Sequence, residues 1–88
     1  MKFEPSNLTV FVCPHIFKNT RPILYVCREG GDLQCLCGEY DHDEQGHLVG
    51  VGHLQERDPS ICQLADLPND WEAERKDATS EWIRSQCE

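Results

Sequence analysis

The stretch PILYVCREGGDLQCLC, residues 22–37, constrains the fold of this chain more than any other. It is two apolar runs about Gly30-Gly31, and glycine enters the positive φ that tight hairpin turns require without steric cost. With the glycine pair as a two-residue loop, Arg28 faces Leu33, Cys27 faces Gln34 and Val26 faces Cys35. One face of the hairpin then carries Leu24, Val26, Leu33, Cys35 and Cys37. The other carries Ile23, Tyr25, Cys27, Gln34 and Leu36. A three-residue loop taking in Asp32 would instead set Cys27 opposite Cys35. The two-residue register is the one preferred.

Other segments read around this hairpin. LTVFVC (8–13) is β-branched and aromatic, hence a strand, and Pro14 stops it. HLVGVGHL (47–54) supplies another strand over 47–52, its glycines permitting a bend. Asp58 is a good N-cap and Pro59 suits a first helical position, so a short helix is expected over 59–66, ended by Pro68. In the tail, Trp71, Arg75 and Ala78 sit near helical spacing, although Trp71-x-Ala73-x-Arg75 also fits an exposed strand. The helical reading, over 69–76 and 79–86, is adopted. The expected fold class is α+β: a small antiparallel sheet of three to four strands (8–13, 23–28, 33–37 and 47–52) with short C-terminal helices. Eighty-eight residues form a single domain, 1–88.

Charge narrows the partners. Sixteen acidic residues against eight basic ones give a net charge of −8, which repels phosphate backbones and anionic membranes. A basic protein partner is favoured instead, and no nucleic acid or membrane is expected. The N-terminus has Glu4 and Pro5 where a secretory leader would be basic and then apolar. A cytoplasmic location follows as an expectation, and with it reduced thiols, so the six cysteines do not imply a disulfide framework.

The chemistry-bearing residues concentrate in LQCLCGEYDHDEQGHL, residues 33–48. A zinc site could draw on Cys13-x-His15 and Cys35-x-Cys37, with His42 and His47 nearby in sequence. Zinc favours four soft ligands in a tetrahedron. No C-x-x-C knuckle occurs, however, and a C-x-C on a strand sets its side chains about 7 Å apart along the chain. Small cysteines also serve as core residues. Asp41–Gly46 matches the opening of a calcium loop, but the twelfth position, which needs a bidentate glutamate, is Gly52. A nucleophilic cysteine is disfavoured near Asp32, Glu39, Asp41 and Asp43, and no catalytic motif is present. The chain is therefore read as a non-enzyme. Partner-binding residues are sought in the acidic loop, Glu39, Asp41, Asp43 and Glu44, and among Trp71, Arg75 and Trp82, the residue types that anchor interfaces.

The order Cys13-x-His15, PILYV (22–26), LCG (36–38), HLQERDPSICQLADLP (53–68), Trp71-x-Ala73-x-Arg75 and Trp82 resembles small bacterial proteins of unknown function. Similar domains occur among the immunity proteins of bacterial toxin systems. The resemblance implies a compact α+β domain of bacterial source and carries over no catalytic residues. With the charge of −8 and the absent catalytic motif, it leads to the expectation of a non-catalytic module that blocks a basic toxin partner. The alternative is a zinc-stabilised accessory domain with Cys13, His15, Cys35 and Cys37 as ligands. Without that zinc, no cofactor is expected.

Overall fold

Thr9–Val12 (β1) alternates exposed and buried residues, with Val10 and Val12 directed into the core. The same period of two recurs along the strands beside it. The computed structural model describes Phe3 and residues 7–38 and 46–87. Within them, β1 is followed by a single helical turn, Pro14–Phe17 (α1). Next come Tyr25–Glu29 (β2), Asp32–Leu36 (β3) and His47–Gly50 (β4). A helix, Val51–Arg57 (α2), and a 3-10 segment, Pro59–Leu64, lead to Trp71–Glu74 (β5) and Ile83–Gln86 (β6).

The protein is α+β, but its sheet is larger than the three to four antiparallel strands expected from sequence. Six strands lie in the order β4-β1-β3-β2-β5-β6, and β1 runs parallel to β3 while every other pair is antiparallel. The β2–β3 hairpin has the expected register, with Arg28 opposite Leu33, Cys27 opposite Gln34 and Val26 opposite Cys35. Gly30 and Gly31 take φ of 59° and 89°, the left-handed values the turn demands.

Two expected elements change type. The strand expected over 47–52 ends at Gly50, where Val51 N–H donates to the Leu8 carbonyl at 2.8 Å and the chain turns into α2. This places Val51 and Leu54 in the core. The tail is strand rather than helix. Asp70, at φ 65°, turns the chain while its N–H donates to the Arg28 carbonyl at 2.6 Å. That contact starts β5 along β2, and the period of two then buries Ala73 and Arg75. The helix expected over 59–66 is the shorter 3-10 segment, and Asp58 caps it as expected, its Oδ1 accepting from Ser60 N–H at 3.1 Å.

One face of the sheet is the core face. Val10 and Leu33 pair there, as do Val12, Cys35, Val26 and Ala73 across four strands. Ile61, Leu64 and Leu67 from the covering segment join Val51 and Leu54 in the same apolar cluster. The opposite face carries Phe11, Leu48 and Ile83, all exposed. Entry into β4 needs Gly46: a Cβ there would overlap the Phe11 ring and stand 2.6 Å from the Val12 carbonyl oxygen. Gly46→Ala is expected to destabilise the protein by about 1–3 kcal/mol, read as a lower urea midpoint at unchanged m.

Candidate metal centre

Parallel pairing brings the C-terminal ends of β1 and β3 side by side, with Val12 opposite Cys35. Cys13 is the first residue after β1, and Cys37 is the first after β3. Cys13 is also the N-cap of α1, extended at φ −76° and ψ 165°, and its thiol makes no capping bond. Pro14 suits the first helical position because its missing N–H would have had no partner. The turn that follows, closed by Phe17 N–H on the Cys13 carbonyl at 3.0 Å, folds His15 back beside the two cysteines.

The result is a three-residue group. The ligand atoms of Cys13, His15 and Cys37 all lie within 4.8 Å of one another. His15 Nδ1 is 3.5 Å from Cys37 Sγ and 3.4 Å from Arg21 Nη1. A guanidinium has only donors, so Arg21 meets the Nδ1 lone pair and must give it up for that nitrogen to take an ion. Zn–S and Zn–N bonds of about 2.3 and 2.05 Å at a tetrahedral angle put sulfur and nitrogen about 3.6 Å apart. The His15–Cys37 separation of 3.5 Å is close to that value, and the Cys13 sulfur lies within 4.8 Å of both. Cys13 and Cys37 are buried and His15 is half-buried, so the donors converge at a sheltered edge of the core.

Cys35 does not join the group. It lies mid-strand between Val12 and Val26, fully buried, and burial above all pushes its thiol up to about 12. A metal needs the thiolate, which this apolar site disfavours. The expected set of Cys13, His15, Cys35 and Cys37 therefore contracts to three, with Cys35 as a core side chain. His47 pairs with Val12 at the start of β4 and stacks on Phe17, ring centroids 3.9 Å apart. His42 lies outside the described residues. No disulfide joins any two of the six cysteines, all of which are described. Arg21 was not singled out from sequence. Only the turn of α1 brings it back to His15, and no spacing motif signals that.

The expected partner-binding residues divide differently. Glu39, Asp41, Asp43 and Glu44 lie outside the described residues. Arg75 is a correction: it is 6% exposed and faces inward rather than toward a partner. Its Nε donates to the Ile23 carbonyl at 2.9 Å, its Nη1 to Ser60 Oγ at 2.8 Å, and its Nη2 to Asp58 Oδ2 at 2.5 Å. The Trp82 ring lies 4.3 Å from the guanidinium carbon, and its indole N–H donates to Ser60 Oγ. Trp71 packs half-buried against the core. Arg75 and Trp82 thus tie β5 and the last loop to the 3-10 segment, and a polar group so buried is retained because every contact is made.

No protein family, curated protein or solved structure matches the chain. Among the described residues no helix is long and apolar enough to cross a membrane.

Proposed function

We propose that this protein is a small zinc-binding module in which Cys13, His15 and Cys37 hold the ion. The observation that carries the reading is the convergence of two thiols and one imidazole within 4.8 Å at the parallel β1–β3 junction. Thiolate with imidazole is a donor set that suits zinc, whereas calcium and magnesium take oxygen. Zinc completes four positions, so a water or a further donor fills the fourth. Burial of both cysteines suits an ion that stabilises the fold and is kept from substrate. Its task is to fasten α1 to the ends of β1 and β3. The protein is then a binding module rather than an enzyme, and its thiols serve as ligands where the surroundings keep them reduced.

Elemental analysis of protein purified from zinc-supplemented cells tests this. About one zinc per chain is expected, as one tetrahedral site requires. Cys13→Ser and Cys37→Ser should each lose most of it, while Cys35→Ser should keep it. Wild-type protein that takes up no zinc when dialysed against it would overturn the reading. So would a folded Cys35→Ser variant that loses as much metal as Cys37→Ser.

A further inference from the structure

The face of the sheet turned away from the core is a second feature, whose cleft reaches Cys37 of the metal group at one end. Cross-strand pairing places Leu48, Phe11, Gln34, Cys27, Glu72 and Ser85 in one row across all six strands. A second row sets Leu36 and Tyr25 beside Glu74 and Ile83. Along these two rows Cys27 is buried, Gln34, Leu36, Tyr25 and Glu72 are half-buried and the rest are exposed. Leu48 is 70% exposed, Ile83 67% and Phe11 39%. A small chain that leaves apolar side chains aligned across a sheet has a surface suited to contact.

At the centre of this face lies a cleft of about 550 Å³, lined by Tyr25, Cys27, Gln34, Leu36, Glu72 and Glu74 among others. Glu29 adds a third carboxylate to its wall. Among the described residues lining the cleft the one basic side chain, Arg75, turns its guanidinium inward onto Asp58, Ser60 and the Ile23 carbonyl. Among the described lining residues the carboxylates of Glu29, Glu72 and Glu74 therefore meet no opposing charge, Glu72 being half-buried beside the Tyr25 hydroxyl. Burial and then the Glu72 carboxylate push the Tyr25 hydroxyl upward, so the ring stays a neutral wall. An apolar floor with carboxylates at its rim is complementary to a lysine or arginine, whose methylene stem lies on apolar surface while its head meets the carboxylate.

We propose that this sheet face docks an extended basic segment of a partner protein. Its cationic side chains enter the cleft toward Glu72 and Glu74, and its apolar side chains lie over Phe11, Leu48 and Ile83. A net charge of −8 speeds the encounter. The interaction does not require the metal.

A fluorescent decapeptide with leucine, lysine, lysine and leucine at alternate positions and serine between them, so that one face of the extended chain carries both kinds of side chain, is the probe, and fluorescence anisotropy gives its Kd. Glu72→Gln/Glu74→Gln should weaken binding about tenfold, the effect of roughly 1.4 kcal/mol in lost charge pairing. Glu56→Gln/Glu81→Gln, which removes the same charge outside the cleft, should change it less than twofold. Amide shift mapping on the wild-type protein should place the perturbed residues on β2, β3 and β5. Equal weakening by both double variants would show attraction to bulk charge alone and overturn the proposal. Absence of binding, perturbations confined to the core-side helices, or concentration-dependent dimerisation through Leu48 and Ile83 would each overturn it too.

Discussion

Arg75→Ala should lower the unfolding free energy by about 3 kcal/mol, because it leaves the partners of a buried cation without it. For a chain of this length that corresponds to a fall in Tm of roughly 12–24 °C. The low end of the range for a broken buried pair applies because Asp58 keeps 23% of its side-chain surface in water and retains its bonds from Ser60. The loss is nonetheless large, since a domain of this size has a total stability of about 4–13 kcal/mol. Arg75→Lys should recover less than half of it: an ammonium cannot reproduce the planar fork that reaches Asp58, Ser60 and Ile23 together.

The same pair sets an acid dependence. Burial pushes the Asp58 carboxyl up, but hydrogen bonds from Ser60 and Arg75 outweigh it and hold the group below the ordinary carboxylate range. A depressed folded value means stability that is present above the unfolded value, about 3.9, and lost as pH falls through the folded one. Thermal unfolding followed from pH 6 to pH 2 should show this loss in the wild-type protein. In Arg75→Ala the acid slope should be shallower.

On the proposed zinc site, removal of the ion should be the second large effect. An ion that binds only the folded chain stabilises it by mass action, about 4 kcal/mol at free zinc one thousand times its Kd. Tm should therefore rise with free zinc and fall on adding a chelator. Cys13→Ser and Cys37→Ser should lack that dependence, while Cys35→Ser should keep it at a lower starting Tm. The sheet has its own core, so metal-free protein should remain folded at low temperature, unlike a zinc finger. A wild-type Tm indifferent to zinc would argue against a structural ion.

The hairpin was legible because its information is local. Gly30-Gly31 fixes the loop, the loop fixes the register, and the register assigns Val26 and Cys35 to one face. The parallel pairing of β1 with β3 was not legible, since nothing in residues 9–12 states which strand they lie against. That pairing decides the site. It sets Cys13 beside Cys37 and leaves Cys35 in the middle of the sheet, so the C-x-C motif supplies one member of the candidate metal group and one core residue. The tail misled because Trp71, Arg75 and Ala78 imitate a helical period, while the true signal was Ala73 and Arg75 alternating with exposed glutamate. Similarly, Gly50 and Gly52 hid the start of α2, since glycine weakens either reading of HLVGVGHL. Arg75 looked like an interface anchor because sequence gives residue type without direction.

Zinc K-edge X-ray absorption on protein carrying stoichiometric metal tests the central claim most directly, because it counts the ligands. The predicted first shell holds two sulfurs at about 2.3 Å and nitrogen or oxygen at about 2.0–2.1 Å, unchanged in Cys35→Ser. A shell of nitrogen and oxygen alone, or a sulfur count that falls in Cys35→Ser, would contradict it.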